Sequence, residues 1–283
     1  MLSRRKGNII ETKLKEITLI IDVLNRYRDV LSDQMNHSLE RKLQSLYEQL
    51  LEGGVRIEQK GLEKVIEKDE SNHSETTIPK IIHYCWFGKG EFSSLTKKCI
   101  DSWKSYCPDF EIIEWNEDNF DLNSNRYVKE AYDCKQYAFV SDYVRAYVLY
   151  HYGGLYLDTD LELVKGLDSF MDHDAFSCFE NPSFIQTALL GSKKGFPIIK
   201  ELLDYYEERS FVNNGIFDQT TNVYILSNLC DHHGFIRNGQ QQSFDGFMIY
   251  PQDYFCPLFF DSSETCFTEN THAIHHFSKS WWK

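Results

Sequence analysis

The sequence predicts an α/β fold in which helices cover a parallel sheet. Three observations predict it. Short apolar runs alternate with amphipathic stretches in the order strand, helix, strand, helix, strand. The strands read as continuous apolar runs, as expected of strands buried on both faces. The third ends in two carboxylates, on the side of an open α/β sheet where ligands gather.

The elements follow in order. Ile81–Phe87 is a short apolar run stopped by Gly88, hence a buried strand. Leu95–Tyr106 reads as a helix ended before Pro108, and Phe110–Trp115 as a second strand. Tyr127–Tyr150 is rich in alanine and aromatics and reads as largely helical. Gly153-Gly154 breaks it, and Leu155–Asp158 forms the third strand. Upstream, Ile10, Leu14, Ile17, Ile21, Leu24 and Leu31 recur at steps of three and four, as do Leu39, Leu43, Leu46 and Leu50, before Gly53-Gly54. Two amphipathic helices in a hairpin satisfy that spacing. They are expected to pack on the rest of the protein, with oligomerisation or peripheral membrane association through them left open. A polar stretch, Glu67–Thr77, reads as a linker. The chain thus divides into residues 1–75, a helical region with its linker, and residues 76–283, the α/β domain.

Composition excludes several classes. The formal net charge is -13 over 283 residues, so no nucleic-acid partner is expected. An acidic chain that handles phosphates must neutralise them locally, and a divalent cation on carboxylates does so. The eight cysteines form no CxxC pair, which argues against a zinc knuckle or a disulfide scaffold and for free thiols. Arg4, Arg5 and Lys6 are followed by no apolar run, and no apolar stretch reaches membrane-spanning length. The expectation is a cytoplasmic protein, with a position at the inner face of the membrane left open.

The chemistry concentrates in three segments. In Gly153–Asp160, Asp158 and Asp160 are two residues apart, so on extended backbone both address one face and one cation. Oxygen ligands of this kind suit Mn²⁺ or Mg²⁺. The plain alternative is chance surface charge on an acidic chain. Asp142 and Arg145 share a helix face. They form either a solvated ion pair or a site where Asp142 accepts from sugar hydroxyls and Arg145 meets a phosphate. At the chain end, His275 and His276 precede Ser280-Trp281, so an imidazole is available to complete a coordination shell begun by the two aspartates.

Together these segments resemble glycosyltransferase family 32 and, more distantly, the glucosyltransferase domain of the large clostridial cytotoxins. The family pattern reads I-P-K-I-I-H-x-x-W, S-D-x-x-R, G-G-x-Y-x-D-x-D and a terminal H-H-x-x-x-S-W. This chain carries them as Ile78–Trp86, Ser141–Arg145, Gly153–Asp160 and His275–Trp281, over roughly residues 78–283. The resemblance implies a GT-A fold, a Rossmann-like nucleotide-binding sheet, with Mn²⁺ on the diphosphate of a UDP-sugar donor. It implies that Trp86 stacks on the uracil and that Asp142 and Arg145 contact donor sugar and phosphate. Asp158 would lie near the ribose and sugar, and Asp160 would ligate metal. One of His275 or His276 would complete the shell, and Ser280 and Trp281 would close over the diphosphate. Anomeric configuration would be retained. Where relatives carry Thr-Gly-Pro, this chain reads Thr220-Thr221-Asn222, which leaves the acceptor side open. Gln186 is placed near the reacting carbon.

No carboxylate stands out in the sequence as a glycosidase-type nucleophile, so front-face displacement is expected, with the leaving phosphate taking the acceptor proton. The expected acceptor is a saccharide or lipid-linked saccharide in bacterial surface polysaccharide synthesis. A protein acceptor, a nucleotide-sugar hydrolase and a non-catalytic saccharide-binding module are the alternatives.

Overall fold

A computed structural model describes residues 77–278 apart from Glu208 and Asp261. The helices expected before residue 75, the division placed there, and Ser280 and Trp281 lie outside the described residues. The described chain opens with β1 (Ile81–Cys85), α1 (Ser94–Tyr106), β2 (Glu111–Trp115), α2 (Arg126–Asp133) and α3 (Tyr137–Tyr152). There follow β3 (Gly154–Leu157), β4 (Leu161–Leu163), β5 (Ala175–Asn181), β6 (Phe184–Ile185), β7 (Leu189–Ser192) and α4 (Pro197–Asp204). The last elements are β8 (Val212–Asn213), β9 (Ile216–Phe217), α5 (Asn222–Asp231), β10 (Gln242–Phe244), β11 (Phe247–Tyr250) and β12 (Ala273–His275).

The expected α/β class is present, but the sheet is mixed. Its order is β10-β11-β5-β7-β3-β1-β2, with β6 appended to β5. β1 pairs in parallel with both β2 and β3, as the alternation of strands and helices predicts. β7 then runs antiparallel between β3 and β5. The purely parallel expectation fails there because β7 returns from β5 through a short turn with no crossover helix, and such connections make antiparallel neighbours. Two antiparallel steps leave β5 running the same way as β1 and β3, so all three present their carboxyl ends on one edge.

The helix expected over Tyr127–Tyr150 is two helices. The chain breaks at Cys134–Gln136, where Lys135 takes φ 58°, and α3 then runs to Tyr152. Asn125 caps α2, its side chain accepting from the amide of Tyr127 at 2.8 Å. α3 is apolar over most of its circumference because one side meets the sheet and another α2 and α4; Phe139, Val140, Val144, Val148 and Leu149 are buried.

Gly153 and Gly154 are required by close approach. A Cβ on Gly154 would lie 2.7 Å from the carbonyl of Ile81, and φ there is +101°. The carbonyl of Gly153 accepts from Nε2 of His83 at 2.9 Å, while Trp115 Nε1 donates to His83 Nδ1 at 3.1 Å. Burial lowers this histidine to about 4, so it is a neutral structural group locking β1, β2 and β3 together. The glycines thus fix where β3 starts and where its terminal acids emerge.

Candidate active site

β3 is buried along its whole length, and its continuation, Asp158–Asp160, is the first part to reach the surface. The amide of Asp158 extends the β3–β7 ladder, donating to the carbonyl of Ala188 at 2.9 Å. The chain then turns, the amide of Leu161 donating to the carbonyl of Asp158 at 2.9 Å, and enters β4. β4 pairs antiparallel with β12, which sets His275 opposite Leu161 and Ile274 opposite Glu162. Trp103 of α1 fixes that corner, its indole donating to the carbonyl of Leu161 at 2.7 Å. A two-stranded ladder therefore brings His275 beside Asp160 across more than a hundred residues.

One ligand atom each from Asp158, Asp160 and His275 lie within 4.8 Å of one another. His275 Nε2 is 3.5 Å from Asp160 Oδ1, and the amide of Ser278 donates to Asp160 Oδ2 at 2.8 Å. Phe277 sits at φ 49°, a left-handed conformation rare for a side chain of this size, which turns the chain back over Asp160. Burial would raise the Asp160 carboxyl, but the hydrogen bond and charge of His275 and the Ser278 amide outweigh it and hold the group well below the carboxylate range. Burial would lower His275, yet Asp160 as its partner, with Asp158 and Glu180 nearby, leaves it raised. Two carboxylates and an imidazole converging on one point form a donor set that fits Mn²⁺ or Mg²⁺.

His275 and His276 separate here. Neighbouring residues on extended backbone point to opposite faces, so His276 turns away and its Nε2 meets Glu162 at 2.8 Å. Lys98 holds the same Glu162 oxygen at 2.7 Å. Of the two histidines left open in the sequence, His275 stands with Asp158 and Asp160, and His276 stands outside that cluster.

Asp142 and Arg145 share a face of α3 as expected, but they are no solvated pair. The Arg145 side chain is 5% exposed. Its guanidinium donates to Asp158 Oδ1 at 2.9 Å and to the carbonyl of Thr187 at 2.7 Å, and lies 4.5 Å from the ring centroid of Tyr156. Asp142 Oδ1 stands 3.5 Å away. Arg145 thus aims Asp158 while still lining the cavity, its Nε without a hydrogen-bond partner among the described residues. Burial pushes the Asp142 carboxyl up to about 7, with Arg145 opposing and Asp158 reinforcing.

These groups line one cavity of about 900 Å³, which also receives Trp86, Phe87, Tyr137, Glu180, Asn222 and Tyr224. Its size suits a small-molecule ligand. Trp86 is held edge-on by Phe92 at 4.7 Å, its indole donating to the carbonyl of Gly90 at 2.7 Å. Gln186 is not among the lining residues. It is fully buried, and its side-chain amide finds no hydrogen-bond partner among the described residues. Placement of Gln186 at a reacting carbon is corrected on that ground.

Sequence reading missed Glu180, the penultimate residue of β5, which lines the cavity. Burial raises its carboxyl above the usual range, with Asp158 adding to the shift and His275 opposing. The signal was present: Ala175–Glu180 is an apolar run ending in an acid, the same texture as Leu155–Asp158.

Part of the chain is similar to known proteins. A family model described as "Glycosyltransferase sugar-binding region containing DXD motif" matches residues 93–177, the stretch that holds Asp142, Arg145, Asp158 and Asp160. Residues 93–177 are thus similar to that region. Part of the chain is also similar to fungal proteins. Inositol phosphoceramide mannosyltransferase 3 of Schizosaccharomyces pombe is 31% identical over 140 residues, covering 47% of this chain and 38% of that protein. A mannosyl phosphorylinositol ceramide synthase of Saccharomyces cerevisiae is 29% identical over 143 residues, covering 45% and 36%. The match thus spans under two fifths of either relative. Among solved structures, PaToxG glycosyltransferase aligns at TM-score 0.45 and 20% identity over 59% of this chain and 75% of that one. A glycosyltransferase involved in glycosylation of the major capsid of PBCV-1 aligns at 0.38 and 13%, over 72% and 96%. Among the described residues no helix is long and apolar enough to cross a membrane.

Proposed function

We propose that the protein is a metal-dependent, retaining glycosyltransferase that moves a sugar from a nucleotide-sugar donor to an acceptor hydroxyl. The observation that carries this is the convergence of Asp158, Asp160 and His275 in one cavity with Asp142 and Trp86. Asp158, Asp160 and His275 would hold a divalent ion, which supplies positive charge to the departing diphosphate. Arg145 keeps the Asp158 carboxylate aimed, Asp142 faces the sugar hydroxyls, and Trp86 offers a flat face to the base.

In the reaction, the bond between the anomeric carbon and the phosphate oxygen breaks with its electron pair on that oxygen. The acceptor oxygen bonds to the anomeric carbon on the same face, and its proton passes to the departing phosphate. Stabilisation of charge where it develops carries the rate.

The finer proposal is transfer of a hexose or N-acetylhexosamine from a UDP-sugar to a saccharide acceptor of a bacterial surface polysaccharide, in the cytoplasm or at the inner membrane face. The names of the fungal relatives favour a second reading, a mannosyl donor and an inositol-phosphate lipid acceptor. Incubation with a panel of UDP- and GDP-sugars, with Mn²⁺, Mg²⁺ or EDTA, tests both. Ion-dependent release of a nucleoside diphosphate with a glycosylated product is expected. A sugar phosphate plus nucleoside monophosphate would establish the hydrolase alternative. Indifference to every nucleotide sugar would overturn the proposal.

A further inference from the structure

The carboxyl edge of the sheet orders the cavity. β1, β3 and β5 all end there, in the sequence β1, β3, β7, β5 across the sheet. Neighbouring strands lie about 4.8 Å apart, so the end of β5 stands roughly 10 Å beyond Asp158, on the side away from Trp86. A donor laid from Trp86 to the acids of β3 leaves the β5 end free for the second substrate.

What stands there is built for a ligand. Phe179 pairs with Ile185 and Asn181 with Phe184, so Glu180 is the extra residue of a β-bulge. Bulges re-aim side chains, and this one delivers Glu180 to the cavity wall. Among the described residues no hydrogen bond or ion pair engages its carboxylate, although it is half-buried, and it stands outside the three-residue metal cluster. Beside it, Phe184 and Tyr224 line the same cavity with ring centroids 6.3 Å apart. Tyr224 is 52% exposed, a large ring left open to solvent at the rim.

The pair is held from behind. Arg237 lies over Phe184 at 5.2 Å and binds the carbonyl of Ser183, Asn228 Oδ1 and Asp231, tying the β5–β6 turn to α5. Asn222, in the first turn of α5, donates to the carbonyl of Asp142 at 2.8 Å, which fixes the start of that helix against α3. A rigid aromatic surface beside an unpaired acid is how a protein recognises a ring with an apolar face and hydroxyl edges.

Resting on the transferase reading above, we propose that Glu180, Phe184 and Tyr224 form the acceptor subsite and that the acceptor is a saccharide. A pyranose ring stacks on Tyr224 and Phe184, and its hydroxyl donates to the Glu180 carboxylate, within reach of the sugar held at Asp142 and Asp158.

The test uses the full chain, the nucleotide sugar that turns over in the donor panel, and methyl hexopyranosides as acceptors. Tyr224→Ala raises the acceptor KM by about tenfold and Glu180→Ala by about tenfold or more, each well beyond any change in donor KM. Tyr224→Trp, which keeps a stacking face, recovers most of the loss. Saturation-transfer NMR reads the same contact without turnover, with enhancement on the ring protons of the methyl hexopyranoside in the parent chain and its loss in Tyr224→Ala. Unchanged acceptor KM and unchanged enhancement in both alanine variants would overturn the subsite. So would transfer only to a protein or a lipid headgroup. Glu180→Ala that abolishes donor hydrolysis along with transfer would place Glu180 at the anomeric carbon instead and equally sink the assignment. Failure of the transferase reading is separately visible, because the parent chain would then release no nucleoside diphosphate from any donor.

Discussion

His275 and His233, both among the described residues, each sit beside carboxylates, and they are arranged differently. His275, 12% exposed, lies 3.5 Å from Asp160, and ligand atoms of Asp158, Asp160 and His275 fall within 4.8 Å of one another. His233 uses Nδ1 for Asp245 at 2.7 Å and Nε2 for Glu201 at 3.1 Å. Its two acids stand at opposite edges of the ring, so nothing converges and both nitrogens are spent. The same residue types thus give a convergent donor set in one place and a pH-sensitive surface clasp in the other. Convergence of lone pairs on one point, enforced by the β3–β7 and β4–β12 ladders, distinguishes them.

Arg145 is the part the His233 clasp lacks, and its removal should have the largest effect. Arg145→Met leaves Asp158 and Asp142 uncompensated in a largely buried setting, at a cost of about 3 kcal/mol. Denaturant unfolding at neutral pH checks this, and a loss below about 1 kcal/mol would contradict the positioning role. Next is turnover. Asp160→Ala should lower kcat/KM at least ~10²-fold, whereas Asp245→Ala in the clasp should stay within about twofold. Steady-state kinetics at saturating Mn²⁺ separates the two. A smaller effect is expected from His276→Ala, which frees Glu162 behind the cluster and should weaken metal affinity by roughly tenfold; a loss as large as that of His275→Ala would return His276 to the ligand set.

The smallest effect belongs to the clasp and depends on pH. The hydrogen bond of Asp245 comes first and that of Glu201 follows; together they raise His233 above its usual 6.5 despite some burial. The protonated ring is favoured in the folded state, so its stabilisation is fully present below about pH 6.5 and fades as pH rises through the raised value. His233→Ala should cost about 0.5–1 kcal/mol at pH 6, discounted for the exposure of Asp245, and almost nothing near pH 9. Chemical denaturation at the two pH values reads the difference; an equal cost at both would remove the charge from the account.

What was legible in the sequence follows the range of the interaction. Strands β1 to β3 and the acids at the end of β3 are local patterns, an apolar run with glycine before it and Asp-x-Asp after. Asp142 and Arg145 are three apart on a helix, so their shared face could be read directly. The antiparallel β7 could not, because strand direction depends on where the chain goes next and not on the composition of Leu189–Ser192. The choice of His275 over His276 depends on the register of β12 on β4, which no local pattern states. The hold of Arg145 on Asp158, between Tyr156 and Thr187, is a tertiary fact that spacing does not state. Gln186 was misplaced for the same reason, and Glu180 was passed over because a bulge, not spacing, turns it into the cavity.

In the proposed reading, Asp158, Asp160 and His275 clamp one divalent ion. Titration of Mn²⁺ into the full chain, with free ion counted by electron paramagnetic resonance, tests it most directly. One bound ion per chain is expected, with affinity lost at least ~10²-fold in His275→Ala and Asp160→Ala and no change in His233→Ala. Mn²⁺ binding by His275→Ala at the parent affinity, or an equal loss in His233→Ala, would contradict it.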